Sequence, residues 1–336
     1  MRSSGLHALV IGAGGMLGSR LAKRLVADGC LASRELTTLS LVDLVTPRSP
    51  ASESVGVFCK NADLSNPGVA ASLIATRPDI IFHLAAIVSG EAEADFERGY
   101  RVNLDGTRLL FEAIRAQGAL APYCPRVVFA SSLAVFGAPL PDVVPDDLAL
   151  SPLTSYGTQK AICELLLADY SRRGFLDGVG LRLPTICIRP GAANRAARGF
   201  LSNILREPLA GREAILPVPD TVRHWHASPR AGVGFLLHAA AIDTASLGAR
   251  RSLSLPGLSA TVGDQLDALR RVAGDAALRL VRREPDPTIE RIVAGWPRAF
   301  EPRRALALGF QGDASFDAII RQHLEDESEF KFNGAS

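Results

Sequence analysis

The chain has 336 residues, 47% hydrophobic and 21% charged, enough for a substantial core without disulfides or metals. With 37 basic against 35 acidic residues the net charge is +2, which gives no reason to expect nucleic acid or an anionic membrane as a partner. The five cysteines (Cys30, Cys59, Cys124, Cys163, Cys187) form no CxxC or zinc-like spacing and fit a reduced cytoplasmic setting. The N-terminal apolar run is broken by glycines and lacks a signal-peptide layout, and no apolar stretch reaches spanning length.

In chain order, "LHALVIGA" reads as a strand and "MLGSRLAKRLVADG" as the helix after it. "LTTLSLVDL" is a second strand, and "VAASLIATRP" is a helix ending before Pro78. "DIIFHLAA" is a strand and "VNLDGTRLLFEAIRAQG" a long amphipathic helix closed by Gly118. "RVVFASSLAVFG", "SYGTQKAICELLLADYSRRG" and "GVGLRLPTICI" continue as strand, helix and strand. Such alternation predicts an α/β fold, a doubly wound parallel sheet with helices on both faces. After "RPG" at 189–191 the rhythm breaks. Two short helical pieces and "AILPVPD" follow, then a helix in "SPRAGVGFLLHAA" and a short strand in "RRSLSLPG" that returns to the sheet. Residues 260–330 are mainly helical, and the tail reads as frayed. The first domain is therefore expected over 1–183 with a return at about 222–256. A smaller, mixed, mainly helical C-terminal domain is expected over 184–221 and 257–330.

"VIGAGGMLG" places Gly12, Gly15 and Gly18 in a GxxGxxG spacing between a strand and a helix. Glycines there permit a tight turn and close approach of a pyrophosphate to the helix N-terminus. Asp43 ends the second strand, where a carboxylate accepts from both adenosine ribose hydroxyls and repels a 2′-phosphate, favouring NAD over NADP. Asp63 in "NADLSN" reads equally as an adenine contact or a turn residue.

"SYGTQK" puts Tyr156 and Lys160 on one helix face. Only four lysines and four tyrosines occur, so composition alone yields ~0.05 such pairs by chance. A phenol is a poor base at neutral pH, and a nearby ammonium favours its phenolate. Ser131 and Ser132 end a strand, where open α/β sheets place their ligands.

Gly12, Gly15, Gly18, Asp43, "HLAA" at 83–86, Asn103 in "VNLDGT", Ser132, Tyr156 and Lys160 together resemble the extended short-chain dehydrogenases/reductases, in order and spacing over the first 190 residues. The resemblance implies a Rossmann NAD-binding domain, a substrate-binding C-terminal domain, and catalysis by Ser132, Tyr156 and Lys160. Ser132 rather than Ser131 matches the family's serine, five residues before Gly137. The likeness also implies that Met16, Leu17, Leu64, Ala85, Asn103 and Pro184 line the cofactor together with Tyr156 and Lys160. "RHWHAS" departs from the family's usual Arg-Asp-Tyr-Ile-His-Val, and Ile11 stands where many members have threonine.

Further segments, "AAIVSGEAEADFERGYRVNLDGTR" and "LRLPTICIRPGAANRAARGF" among them, resemble members that oxidise the C2 hydroxyl of a four-carbon sugar acid to a 2-oxo acid. A sugar carboxylate calls for an arginine, and Arg223 is the expected partner by its match to the family's arginine. Ser89, Ser132, Tyr156 and Thr185 are the other expected substrate contacts, with Asn194 and Arg195 on the next loop. Pairing of members through "VNLDGTRLLFEAI" and "YGTQKAICELLL" implies a homodimer. The rival readings are a nucleotide-sugar epimerase or dehydratase with tightly held NAD, a non-catalytic NAD sensor, and a metal enzyme. The last would use His224 and His226, which share a strand face, but no third ligand is spaced to join them.

Overall fold

The computed structural model describes residues 5–190 and 199–332. The strands that matter below are β1 (Leu6–Ile11), β2 (Arg34–Asp43), β3 (Gly56–Asn61), β4 (Ile80–His83), β5 (Arg126–Ser132), β6 (Asp177–Leu183), β7 (Thr185–Ile186), β8 (Arg223–Ala227), β9 (Ser252–Ser254) and β10 (Leu258–Thr261). Four helices matter below: α1 (Met16–Asp28), α2 (Gly106–Leu120), α3 (Ser155–Arg172) and α4 (Val262–Leu278).

The chain divides into two compact units. The first comprises Met1–Phe136, Leu150–Leu183 and Val233–Ser254. Its sheet runs β9-β6-β5-β4-β1-β2-β3, every pairing parallel, with the short strand Cys30–Leu31 antiparallel to the start of β2. The strand order reverses between β1 and β4, so their carboxyl ends part and leave a crevice. Leu9, Val10, Ile81, Phe82, Val127, Val128 and Phe129 are fully buried, as expected where helices cover both faces. The helices bury the stripes their sequences predict: Leu21, Ala22 and Leu25 on α1, and Leu110, Phe111 and Ile114 on α2.

Several expected boundaries move, each for a local reason. β3 has no counterpart among the expected elements; it is an edge strand that buries little, with Phe58 exposed, so it lacks the apolar run of its neighbours. The helix through "VNLDGTR" begins with a π-helical segment, Tyr100–Asp105, and continues past Gly118 to Leu120. The strand through "GVGLRLPTICI" breaks at Pro184, which has no N–H to donate; β6 ends at Leu183 and β7 joins another sheet. The return to the first unit spans Val233–Ser254, narrower than 222–256, because β8 pairs with β7 and β10 instead of the large sheet. Arg126 secures that return by donating from Nη1 to the carbonyls of Ala239, Ala240 and Ile242 at a helix C-terminus.

The second unit comprises Gly137–Ala149, Pro184–Gly232 and Leu255–Ser336. It holds the three-stranded sheet β10-β8-β7 and a core built on Ile188, Leu201, Ile204, Leu205, Leu216, Val262, Leu269 and Ile320. No helix of the described residues is long and apolar enough to cross a membrane.

Two fully buried histidines tie stability to pH. Burial holds His83 down at about 3, with the nearby Lys160 charge adding to the effect, and burial alone holds His226 at about 3. Both lie below the ordinary 6.5, so between these values the unfolded chain binds protons that the folded chain refuses. Stability is therefore expected to fall as pH drops below 6.5, by up to ~1.4 kcal/mol per pH unit for each histidine. Thermal midpoints should be lower at pH 5 than at pH 7; a flat profile would contradict this.

Candidate active site

The glycine turn follows β1 directly. Gly12 has φ +92°, and a Cβ there would sit 2.6 Å from Ala85 N on the loop after β4. A Cβ on Gly18 would lie 2.1 Å from Gly12 O. These two glycines are required by the turn itself. Gly15 is different: a Cβ would meet only Gly12 O, at 3.4 Å, so the chain's own packing leaves room there. Gly15 caps α1 without any side-chain bond, leaving first-turn N–H groups for an anion. Met16 and Leu17 open that first turn.

Asp43, at the end of β2, is aimed by two backbone groups. Its Oδ2 accepts from Gly14 N (2.8 Å) and its Oδ1 from Leu44 N (2.7 Å). Each oxygen keeps a lone pair for ribose hydroxyls. An open glycine, an uncapped helix and an oriented carboxylate at the switch point together fit a dinucleotide such as NAD. Asp63 serves a turn, its Oδ1 accepting from Ser65 N (2.9 Å) and Ser65 Oγ (2.6 Å). Leu64 is buried beside it, and Ala85 lies on the loop that faces Gly12.

α3 carries Tyr156 and Lys160 and seats its first turn against the end of β5. Thr154 caps it, accepting from Gly157 N (3.0 Å). A Cβ on Gly157 would lie 2.1 Å from Ala134 O, so only glycine lets the helix come this close to the turn after Ser132. Lys160 is 2% exposed, donates from Nζ to Ala130 O (2.8 Å), and lies 5.8 Å from the Tyr156 ring centroid and 4.6 Å from that of Phe129. Tyr156 is half-buried. Ser132 Oγ accepts from Ala134 N (3.2 Å), while Ser131 turns away and donates to Glu164 (2.5 Å). Ser132, not Ser131, is thus the serine turned from that buried carboxylate.

Asn103 acts through the backbone. Its Oδ1 accepts from Ile87 N (2.9 Å) and its Nδ2 donates to Ile87 O (3.0 Å) and Gln159 Oε1 (2.7 Å). It ties the loop after β4 to the residue before Lys160, and these bonds account for both its amide protons. Ser89 is half-buried at the start of a short helix, Ser89–Ala94.

In the second unit, His224 and His226 do share a face of β8, their rings 5.4 Å apart; both ring nitrogens of His224 and Nε2 of His226 have partners, while His226 Nδ1 has none. His224 Nδ1 faces the Pro297 carbonyl (3.0 Å), which only accepts, so Nδ1 carries the proton. His224 Nε2 then accepts from Thr185 Oγ1 (2.6 Å). His226 Nε2 meets the Gln265 amide (3.0 Å) on α4, and Trp225 Nε1 donates to Leu255 O (3.0 Å). No group of three potential metal ligands occurs among the described residues. Pro184 and Thr185 are buried. Arg223 donates to Ser259 O (3.1 Å), lies 3.9 Å from Asp264, and lines a cavity of about 700 Å³ with Val222, Ser259, Glu290 and Arg298. Asn194 and Arg195 lie outside the described residues.

Sequence reasoning passed over Glu164, Arg182 and Gln159. Glu164 and Gln159 are polar residues on the buried face of α3. The signal for Glu164 was available, since Tyr156, Lys160 and Glu164 repeat every four residues.

Residues 8–226 match the NAD dependent epimerase/dehydratase family. The chain belongs to that family. It is 49% identical over 325 residues to a D-erythronate dehydrogenase of Cupriavidus necator, covering 96% of this chain and 98% of that protein. A D-erythronate dehydrogenase of Haemophilus influenzae is 42% identical, covering 95% and 99%. The crystal structure of a protein named as the nucleoside-diphosphate-sugar epimerase from Agrobacterium tumefaciens is 61% identical, with a TM-score of 0.95 over 97% of this chain and 95% of that one. This member of the family is an NAD-dependent dehydrogenase acting on a CH–OH group.

The seat of α3 is open to direct test. Gly157→Ala should push the first turn of the helix away from Ala134 and cut turnover at least tenfold while the protein still folds, read by initial rates beside circular dichroism. Unchanged rates would show that the contact does not set the site.

Proposed function

We propose that the chain oxidises the C2 hydroxyl of a four-carbon sugar acid, D-erythronate, to the 2-oxo acid with NAD. The observation that carries this is the Ser132, Tyr156 and Lys160 arrangement at the end of β5, in a chain similar over 96% and 95% of its length to two D-erythronate dehydrogenases. Gly12, Gly15, Gly18 and Asp43 hold the dinucleotide, which when bound supplies the acceptor for the C2 hydride. Tyr156 as phenolate takes the C2 hydroxyl proton. Ser132 orients that oxygen. The Lys160 ammonium provides the opposite charge near the phenolate and, with N–H groups beyond the one on Ala130 O, bonds a ribose hydroxyl. Thr185, its hydroxyl proton committed to His224, presents lone pairs and accepts from a substrate hydroxyl. Arg223 pairs with the carboxylate, and Ser89 borders the same substrate. The protein works as a cytoplasmic homodimer.

The name of the Agrobacterium relative favours a second reading, a nucleotide-sugar epimerase that retains its NAD. Mixing protein, NAD and D-erythronate separates the two: NADH absorbance should rise, whereas co-purified NAD without net NADH supports the epimerase. Tyr156→Phe should lower kcat by about 10²-fold or more, the usual worth of a general base; near-normal turnover would remove Tyr156 from that role. Arg223→Ala should raise KM for the sugar acid by about 10- to 100-fold, the worth of a charged hydrogen bond, with NAD affinity unchanged. Equal loss of NAD binding would make Arg223 structural.

A further inference from the structure

Glu164, Arg182 and Ser131 form a buried polar cluster that no step of the reaction calls on. The Glu164 and Arg182 side chains are 4% and 10% exposed. Arg182 donates to Glu164 from Nε (3.0 Å) and Nη2 (2.7 Å), and its guanidinium lies 5.0 Å from the Phe136 ring centroid. Ser131 Oγ donates to the same carboxylate. Taking two charges out of water is expensive, and a buried ion pair of this kind is often no more stabilising than apolar side chains of the same volume. Stability alone is therefore a weak reason for its presence.

Its location supplies a better one. Ser131 and Arg182 are register partners on the neighbouring parallel strands β5 and β6. Glu164 lies one turn beyond Lys160 and two beyond Tyr156, on the same face of α3. The chain neighbours of Ser131 are Ala130, whose carbonyl accepts from Lys160, and Ser132. One carboxylate thus joins the two strands and the helix beside Lys160 and Ser132, two turns from Tyr156.

We propose that Glu164 is a positioning residue. Its carboxylate, shared between Arg182 and Ser131, sets where α3 lies along β5 and so holds Lys160 on Ala130 and Tyr156 over the turn after Ser132. The inference rests on the Ser132, Tyr156 and Lys160 reading of the site.

Two readouts test it, one independent of turnover. Lys160 is one of only four lysines, so its acetylation by acetic anhydride in the protein without NAD can be followed by peptide mass spectrometry. In Glu164→Gln, which keeps the shape but loses the charge, Lys160 should label several-fold faster while exposed Lys23 and Lys60 label as before. The same variant should lose between tenfold and a hundredfold in kcat, the scale of a small misplacement. Ser131→Ala should act in the same direction and more weakly, and the double variant should match Glu164→Gln alone, because both remove one linkage. Wild-type labelling of Lys160 with wild-type kcat overturns the proposal. So does uniform faster labelling of every lysine, which would mark a general loosening. If Glu164→Gln fails to fold, the apolar pair Glu164→Met with Arg182→Leu replaces it, and full activity of that pair overturns the proposal. Should the wild-type chain make no NADH with any four-carbon sugar acid, the reaction reading fails while Lys160 labelling still decides the clamp.

Discussion

The close seat of α3 on the end of β5 is the constraint on which the rest of the site depends. Three successive turns of the helix meet the strand and the turn after it. Gly157 comes against Ala134 without a side chain between them, Lys160 reaches the Ala130 carbonyl, and Glu164 takes the Ser131 hydroxyl. A helix that buries Gln159, Lys160 and Glu164 gains little from apolar burial on that face. Cys163 and Leu167 pack the helix into the core beside that face, and on the face itself directed bonds, worth less per contact than burial, fix its position.

The nucleotide end of the first unit is built on the opposite principle, by leaving atoms out. Gly12 lets the β1 turn and the loop after β4 touch through their backbones, and Gly18 lets α1 start against that turn. Gly15 is glycine without any such internal demand, so the space beside it points outward to a ligand. Asp43 completes the arrangement because two backbone N–H groups aim it before any ligand arrives. The parallel order of the sheet brings these pieces together, since strands that diverge at β1 and β4 leave their carboxyl ends open.

The second unit shows how a suggestive motif resolves into packing. His224 and His226 stand on one face, as alternation along a strand requires, but each imidazole is already committed to a neighbour, Thr185 or Gln265. Trp225, on the other face, gives its N–H to Leu255. The chemically interesting outcome is indirect: His224, by its own bond to Pro297, decides which way the Thr185 hydroxyl proton points.

The sequence by itself determined the parallel α/β core, the glycine turn, the aspartate at the end of the second strand, and the tyrosine–lysine pair with Ser132. Each of these is a local pattern: a period of two or 3.6 residues, a spacing within one turn, or a residue at a strand end. What only the tertiary structure decided are relations between segments distant in the chain. The edge strand β3 is one, since its pairing with β2 and not its composition makes it a strand. The departure of β7 and β8 into their own sheet is another. The part of Asn103 in joining the loop after β4 to α3, and the sharing of one carboxylate by Arg182 and Ser131, are the others nearest the site. A buried polar side chain is intelligible only through its partner, and sequence spacing does not say which partner the fold will bring within hydrogen-bond reach.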